Sequence, residues 1–364
     1  MTSAMMSLFS AVRTLFLYRV FFVNNSEFTT LNLPLALQEN LTSLGYLQMT
    51  PIQASSLPLM LEGHDVIAKA KTGSGKTAAF ALGLLAKLDV NQLNVQALVL
   101  CPTRELADQV SQEIRRLARS LPNVKLVTLC GGAPTAPQAA TLSFGAHIAV
   151  GTPGRILKHL EQETLKLDNV TTLVLDEADR MLDMGFGEDI HRIIRYAPQN
   201  RQTLLFSATY PDEIVQMSHG IQRNPHEVSV ESLHEESAIE QRLYEVPSQL
   251  RLEALTWLLS HYQPSSCVIF CNTKRVCNEV AEYLVAKGFA ALALNGDLEQ
   301  RERDQVLIRF TNGSATILVA TDVAARGLDI KELAAVINYE LTYDPEIHVH
   351  RIGRTACGTT RDCP

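Results

Sequence analysis

Residues 65–77 read DVIAKAKTGSGKT, and they decide the fold because a short apolar run leads through a glycine-rich turn into a helix rich in Ala and Leu. This order is typical of a P-loop, in which the glycines let successive backbone N–H groups point into one phosphate-binding concavity. Lys76 is placed to reach the β- and γ-phosphates, and the Thr77 hydroxyl is placed to bind Mg²⁺. The first position of the pattern is Ala70 where a Gly is usual, and the predicted phosphate loop is completed by Thr72, Gly73, Ser74 and Gly75.

An acidic pair, Asp176 and Glu177, follows a second strand-like run at 172–175. Asp176 is predicted to be the second Mg²⁺ ligand, and Glu177 to orient or deprotonate the attacking water. Alone, the glycine turn could be a solvated turn before a helix, and the acidic pair could be a helix N-cap with first-turn carboxylates. Together, each after an apolar strand, they predict a binding site for a nucleoside triphosphate.

Apolar strand-like runs alternate with helical patterns along the whole chain, which predicts parallel sheets covered by helices on both faces. The acidic stretch 222–240 separates two such series, so we expect two α/β domains joined by a linker. The motifs fall at the carboxyl ends of strands, where open α/β sheets bind ligands. The predicted strands are 66–68, 97–101, 125–130, 147–150, 172–175 and 203–206, then 241–246, 268–270, 291–294, 316–320 and 335–339, with a helix over 104–120.

The run Asp176-Glu177-Ala178-Asp179, with Ser207-Ala208-Thr209 after it, resembles the DEAD-box RNA helicases, and other motifs of that family occur in the family's order. The resemblance implies two RecA-like domains, ATP and Mg²⁺ as cofactors, and RNA-stimulated ATP hydrolysis coupled to local unwinding of RNA. The wording is most similar to the bacterial DbpA type, whose members act on large-subunit ribosomal RNA. This implies a role in ribosome assembly, a cytoplasmic location and a monomer.

Nucleotide recognition is carried over from two further motifs. Thr50-Pro51-Ile52-Gln53 resembles the family's Q motif, which implies that Gln53 hydrogen-bonds the adenine edge and that the aromatic Phe28 stacks on the base. Asp329 resembles the family's ribose contact, with a helix cap as the alternative. The Q motif therefore implies ATP over GTP.

The resemblance also implies a set of RNA contacts in both domains. A turn or helix N-terminus beside a single Arg and a hydroxyl suits contacts to phosphates and 2′-hydroxyls, which are blind to base sequence. Each motif taken singly is an ordinary turn, and it is their joint spacing that favours RNA binding. The expected contacts are Pro102, Thr103, Arg104, Gly132, Thr152, Gly154 and Arg155 in the first domain, and Gln300, Arg303, Thr321, Arg326 and Gly327 in the second.

The last family motif is altered in this chain. Arg354 is present and implied to reach the γ-phosphate, but Cys357 stands where a final Arg is expected, and residues 357–364 abandon the pattern. We therefore expect a second domain that lacks a strand and a helix, and a non-hydrolysing ATP- and RNA-binding clamp or inactive fragment stays as an alternative. A DNA-unwinding translocase is disfavoured by the Q motif. The implied interdomain coupling residues are Asp179, Ser207, Thr209, His350 and Arg351.

Length and composition agree with two domains, since the chain has 364 residues of which 46% are hydrophobic. The net charge of −7 is unlike the basic balance of most nucleic-acid binders, so RNA binding calls for a local groove. The seven cysteines lack metal-ligand spacing and are read as reduced thiols of a cytosolic protein. The expected segments are an extension at 1–27, domains at 28–222 and 241–356, a linker at 223–240 and an aberrant tail at 357–364; residues 1–26 match neither a signal peptide nor a membrane span, with an organellar transit peptide as the alternative.

Overall fold

The computed structural model describes residues 27–69, 73–229, 240–325, 333–342 and 345–352. Within them the chain forms two parallel sheets, of seven and four strands, with helices on both faces of each. This is the arrangement expected of two RecA-like domains. In the same residues, no helix is both long and apolar enough to cross a bilayer.

The first sheet has the strand order β3-β4-β2-β5-β6-β1-β7, and every pairing is parallel. All four residues of its central strands β2, β4 and β5 are buried, as expected of strands covered on both faces. The strands are β1 (Val66–Lys69), β2 (Ala97–Leu100), β3 (Leu126–Leu129), β4 (Ile148–Gly151), β5 (Thr172–Leu175), β6 (Gln202–Ser207) and β7 (His226–Ser229).

Two apolar clusters cover the faces of this sheet. One cluster draws on the first four helices and the other on the last four, so the sheet lies between two helical layers. The helices are α1 (Leu35–Ser43), α2 (Pro51–Glu62), α3 (Lys76–Leu85), α4 (Arg104–Leu117), α5 (Thr135–Ser143), α6 (Pro153–Glu161), α7 (Ala178–Asp183), α8 (Gly187–Ile194) and α9 (Asp212–Ile221).

The second sheet has the order β11-β8-β10-β9, again with parallel pairings only. Its two faces are likewise covered by separate apolar clusters. Its elements are α10 (Arg251–Tyr262), β8 (Cys267–Cys271), α11 (Lys274–Ala286), β9 (Ala291–Leu294), α12 (Gln300–Thr311), β10 (Ile317–Thr321), α13 (Asp322–Ala325), β11 (Ala335–Asn338) and α14 (Pro345–Ile352).

The structure differs from the sequence-based expectation at three places. The predicted linker begins with β7, which pairs with β1 and gives the first sheet a seventh strand. The strand predicted over 241–246 is absent. This segment has no regular secondary structure and joins neither sheet. The predicted helix 104–120 ends at Leu117 and continues as a short 3-10 turn, Ala118–Ser120.

Candidate nucleotide and RNA site

The phosphate loop lies between β1 and α3, and Lys76 is the first residue of that helix. Gly73 and Gly75 have φ values of +85° and +91°, in the left-handed region that glycine adopts without strain. Gly75 is also closely approached, since a Cβ atom there would lie 2.7 Å from Gln53 Nε2. These two glycines are therefore required by the backbone, as the P-loop pattern predicts; Thr72 lies outside the described residues.

A buried ion-pair cluster occupies the carboxyl ends of β1 and β5. Lys76 Nζ lies 2.9 Å from Asp176 Oδ1 and 3.7 Å from Glu177 Oε1. Lys76, Asp176 and Glu177 are 4%, 0% and 6% exposed. Burial alone would lower the pKa of Lys76, but the neighbouring carboxylates outweigh it and raise that pKa, so the ammonium stays charged. Burial raises the pKa of Asp176, and Lys76 opposes the shift.

Glu177 is held by a second cation that sequence reasoning missed. Its backbone has φ +54°, a left-handed conformation uncommon for a residue other than glycine, at the start of α7. Arg180 Nη1 donates a 2.5 Å hydrogen bond to Glu177 Oε2. The i,i+3 spacing of the two residues on α7 is the signal that could have found this contact. The carboxylate is thus fixed beside Lys76 and turned towards the phosphate loop.

The donor set fits a magnesium ion held together with nucleotide phosphates. Mg²⁺ prefers oxygen ligands and commonly takes only one or two carboxylates besides substrate oxygens. Asp176 Oδ2 is buried without a hydrogen-bond partner among the described residues, and the Thr77 hydroxyl lies in the adjoining first turn of α3. The described residues contain no group of three or more His, Cys, Asp or Glu side chains that could hold a metal ion alone. The residues therefore suit a metal that arrives with its nucleotide.

Asp179 ties the acidic motif to the turn after β6. Its Oδ2 accepts hydrogen bonds from the backbone N–H groups of Ala208 and Thr209, at 3.0 and 2.9 Å, and from Thr209 Oγ1 at 3.0 Å. The Asp179 N–H donates to Ser207 Oγ at 3.3 Å. The sequence-predicted coupling residues of the first domain are therefore brought together, because β5 and β6 are neighbours whose carboxyl ends meet at one edge.

The Q-motif residue Gln53 contacts the phosphate loop directly. It lies in a capping box at the start of α2, where its Oε1 accepts from the Thr50 N–H at 2.8 Å. Its Nε2 donates to the Gly75 carbonyl at 3.0 Å. Phe28 is 3% exposed and packs in the core with an edge-to-face contact to Tyr46. The structure thus gives Phe28 a packing role, and base stacking by Phe28 stays a prediction.

The first-domain RNA residues gather beside the outer strands of the sheet. Thr103 is the N-cap of α4, and the Arg104 guanidinium lies over the loop after β3, so that a side chain at Gly132 would overlap it. Arg155 donates to Ala133 O and to Gln138 Oε1, both at 2.8 Å. Gln138, a positioning residue not predicted, also donates to Cys130 O. Pro102 follows β2, and Thr152 and Gly154 lie at the start of α6.

In the second domain the predicted RNA residues do not share contacts with one another. Gln300 Nε2 donates to Asp304 one turn later, and Thr321 ends β10. Arg303 Nη2 donates to Ala324 O at 2.6 Å, while its Nε lies 2.9 Å from Glu105 Oε1 on α4. Arg303 on α12 therefore forms an ion pair with α4 of the first domain, and its contact with RNA stays a prediction. Arg326, Gly327, Asp329 and Arg354 lie outside the described residues, as does the side chain of His350.

Arg351 makes its hydrogen bonds inside the second domain, and its role in interdomain coupling stays a prediction. It is 1% exposed, and its guanidinium donates five hydrogen bonds. Two of them go to Asp322, at 2.7 and 2.6 Å, and the others reach loops after β8 and the end of β11. With all five donors engaged inside the second domain, Arg351 has none left for the first. The acceptors beyond Asp322 are Asn338 Oδ1, Glu340 O and Asn272 Oδ1.

Family comparisons agree with this geometry. Residues 50–217 match the family model described as DEAD/DEAH box helicase, and residues 250–358 match the helicase conserved C-terminal domain. The chain is 59% identical over 332 residues to the ATP-dependent RNA helicase DbpA of Escherichia coli, covering 91% of this chain and 73% of that protein. It is 45% identical to the DEAD-box ATP-dependent RNA helicase CshA of Streptococcus pneumoniae, covering 90% of this chain and 63% of CshA.

Solved structures give the same result for the fold. Saccharomyces cerevisiae Dbp5 bound to RNA and ADP BeF3 superposes with a TM-score of 0.81 at 31% identity, covering 91% of this chain and 86% of that one. A DEAD box protein from Methanococcus jannaschii gives a TM-score of 0.56 at 40% identity, covering 90% and 89%. The chain thus has two RecA-like sheets with a P-loop and an acidic cluster. It also matches both family models and these relatives. The chain belongs to the DEAD-box ATP-dependent RNA helicases, a family of nucleoside-triphosphate-hydrolysing enzymes, and within it to the DbpA type.

Proposed function

We propose that this chain hydrolyses ATP in response to RNA and uses the reaction to separate short RNA duplexes. The observation that carries the proposal is the buried cluster of Lys76, Asp176 and Glu177, which continues through Asp179 to the turn after β6. Asp179 joins this phosphate site by hydrogen bonds to the turn at Ser207–Thr209. A conformational change of that turn on RNA binding would therefore couple ATP hydrolysis to RNA unwinding.

The residues suggest how the phosphates are bound. The Lys76 ammonium lies 2.9 Å from Asp176 Oδ1 and neutralises this carboxylate. When ATP enters, Lys76 turns to the β- and γ-phosphates, and the backbone N–H groups of the loop hold the remaining oxygens. Asp176 and Thr77 would hold a magnesium ion, which neutralises charge on the transferring phosphoryl group. The ion pair therefore places the cation and the carboxylate of the site side by side.

Glu177 is the proposed water-orienting carboxylate. Its hydrogen bond to Arg180 fixes the side chain beside Lys76 and the phosphate loop, where the carboxylate is placed to orient the attacking water. Fixing the carboxylate matters because phosphoryl transfer depends mainly on position and electrostatics. Arg354, by its resemblance to the family motif, supplies the cation on the opposite side of the γ-phosphate.

RNA is proposed to be held by its backbone. Arg104 over Gly132, and Arg155 held by Gln138, present guanidinium groups next to helix N-termini, an arrangement suited to phosphates. The superposition on Dbp5, which is bound to RNA and ADP BeF3, supports simultaneous binding of RNA and nucleotide. Contacts of this type bend the strand without reading bases, so unwinding is local.

The finer assignment is large-subunit ribosomal RNA, in a cytoplasmic, monomeric protein that acts in ribosome assembly. It is supported by the resemblance to the DbpA type and by 59% identity to DbpA. Comparing ATPase stimulation by fragments of large-subunit ribosomal RNA with unrelated RNA of equal length tests it. Equal stimulation by all RNAs at equal concentration would contradict the ribosomal assignment.

The central experiment is steady-state phosphate release by the 364-residue chain, with and without RNA. We expect release to require both Mg²⁺ and RNA, to fail with a 2′-deoxy strand of the same sequence, and to vanish in Glu177→Gln. Phosphate release that ignores RNA would refute the coupling. If the 2′-deoxy strand does not stimulate phosphate release, the alternative function of a DNA-unwinding translocase is excluded.

A non-hydrolysing ATP- and RNA-binding clamp is the second candidate, favoured by Cys357 at the position of the family's final Arg. Cys357→Arg restores the guanidinium. If the chain binds Mg²⁺-ATP and RNA but releases no phosphate, and Cys357→Arg does release it, this chain is a clamp because it lacks that guanidinium. Brisk turnover by the parent chain would exclude it.

A further inference from the structure

An open groove of about 590 Å³ lies at the amino end of edge strand β3, whereas the phosphate loop follows the carboxyl end of β1. It is formed by the end of α4, the start of β3 and the turn after α5. Three cations line it: Arg115, Arg119 and Lys125. The ring of Phe144 lies at the same groove and is 76% exposed.

The charge of this region is opposite to that of the chain. Residues 114–160 contain no Asp or Glu but contain six Arg and Lys residues, although the whole chain carries −7. The three groove cations are exposed, and none has an ion-pair partner in the part of the chain that the structure describes. By contrast Arg116, next to them on α4, is paired with Glu113 and lies over the Tyr46 ring. The groove therefore keeps its positive charge for an external anion.

Protection of an exposed sheet edge is the competing explanation. Lys and Arg beside an edge strand discourage pairing with other chains. The exposed Phe144 does not serve that purpose, because it adds apolar surface at the same edge. Cations combined with an exposed aromatic face are instead the combination that binds single-stranded nucleic acid, where phosphates meet the cations and a base stacks on the ring.

The groove is also continuous with the expected RNA face. Strand β3 runs from Lys125 at the groove to the loop that holds Gly132 under Arg104. At about 3.3 Å per residue its four residues span about 13 Å. The stretch of sequence without Asp or Glu continues from the groove to Arg155, and the nearby carboxylate of Asp108 on α4 interacts with both Arg115 and Arg104.

We infer that the groove is an accessory RNA site, in which Arg115, Arg119 and Lys125 bind phosphates and Phe144 stacks on a base of the strand that extends beyond the motif site. The inference rests on the proposed function, since it presupposes RNA at Arg104 and Arg155. We therefore expect the groove to increase the affinity for RNAs that are long enough to reach it from the motif site, and to leave the affinity for shorter RNAs unchanged.

The test compares RNAs of two lengths on the full chain with Mg²⁺ and a non-hydrolysable ATP analogue. The short RNA is the shortest that stimulates the parent ATPase, and the long ones carry added nucleotides at one end or the other. The variants are Arg115→Ala/Arg119→Ala/Lys125→Ala and, separately, Phe144→Ala. The matched control is Lys166→Ala/Arg195→Ala/Lys287→Ala, which removes three exposed cations outside the groove and outside residues 114–160.

We expect the parent to bind one of the long RNAs more tightly than the short RNA, and the triple groove variant to lose that gain. The dependence of log Kd on log salt should weaken by about 2 for the long RNA, since each phosphate contact on a single strand contributes about 0.7. Phe144→Ala should weaken the long RNA by about fivefold or more without changing the salt slope. The short RNA and the control variant should behave as the parent.

The outcomes separate this inference from the proposed function. If the parent binds no RNA of either length, the proposed function fails and the accessory site with it. If the parent binds RNA, but the groove variant binds the long RNA with parental Kd and salt slope, only the accessory site is refuted. If poly-aspartate binds the parent but not the groove variant while the long RNA binds both equally, the groove is a site for an acidic protein segment and the inference is wrong. Equal melting temperatures of all variants exclude misfolding as the cause.

Discussion

Replacing Lys76 by Met tests the buried cluster most directly, because Met keeps the aliphatic length of the side chain and removes only the charge. In the structure the ammonium is 4% exposed and 2.9 Å from Asp176 Oδ1, and Asp176 is fully buried. The variant therefore leaves the buried Asp176 carboxylate without its nearest cation, whereas Glu177 keeps its hydrogen bond to Arg180. We expect loss of ATP binding and a large loss of stability from the same change.

The magnitude follows from the geometry. Removing one partner of a buried ion pair costs about 3–5 kcal/mol. We take about 3 kcal/mol, because burial already raises the pKa of Asp176 and the carboxyl can take up a proton when Lys76 is gone. For a domain of this size, 1 kcal/mol corresponds to about 2–4 °C in Tm, so the first domain of the variant should melt about 6–12 °C below the parent.

The pH dependence has a definite sign. A carboxyl whose pKa is raised by folding stabilises the protein at low pH, and that stability is lost as pH rises through the folded pKa. Without Lys76 the pKa of Asp176 rises further, so the gap in Tm between variant and parent should widen from pH 5.5 to pH 8. The assay is thermal melting without nucleotide at both pH values, with a fluorescent ATP analogue to measure binding.

The control is the double variant Lys76→Met/Asp176→Asn, which removes both charges and should recover most of the lost Tm but none of the ATP binding. If Lys76→Met melts within about 2 °C of the parent at pH 8, the ion pair does not stabilise the fold as argued. If the double variant melts lower than the single variant, the penalty does not come from the unpaired carboxylate.

Three further predictions concern the neighbouring contacts. Glu177→Gln should retain Mg²⁺-ATP and RNA affinity within about threefold, since Asp176 keeps its charge, but lose turnover; parental phosphate release would exclude Glu177 as the water-orienting group. Thr209→Val removes the hydroxyl bond to Asp179 but leaves the two backbone bonds, so we expect RNA unwinding to fall several-fold more than ATPase activity, and an equal fall in both would count against coupling through this turn. In a double-mutant cycle of Glu105→Gln and Arg303→Gln, the coupling energy in RNA-stimulated ATPase should be about 1 kcal/mol, and additive effects would show that the 2.9 Å contact is not used in the active state.

The sequence predicted the central strands and the phosphate site well, for physical reasons. Buried parallel strands are continuous apolar runs, so 97–101 and 172–175 were found nearly to the residue. Strand β7 was missed because it is an edge strand of which only Val228 is buried, leaving a pattern that looks like linker. The segment 241–246 has the composition of a strand, but a strand needs a hydrogen-bonding neighbour, and composition does not reveal whether one exists.

The site shows the same limit. The positions of Lys76, Asp176 and Glu177 follow from the order of strand, turn and helix, which the sequence displays. The contact of Arg180 with Glu177 could have been expected from their i,i+3 spacing, whereas the contacts of Gln138 depend on how β3, α5 and α6 pack. Arg351 could not be told from its neighbours by pattern, because only the packed second domain shows that this guanidinium is surrounded by acceptors.

The hydrogen bond from Gln53 to the Gly75 carbonyl has a kinetic consequence. The amide expected to sense the base is attached to the loop that aligns the phosphates, so a nucleotide that disturbs Gln53 also shifts the backbone around the γ-phosphate. Substrate choice would then be exercised at the step of bond cleavage, where a misaligned phosphate reacts slowly even when fully bound. We therefore expect GTP to be hydrolysed with a lower kcat than ATP even at saturation. Discrimination between the two nucleotides would then persist at high GTP concentration.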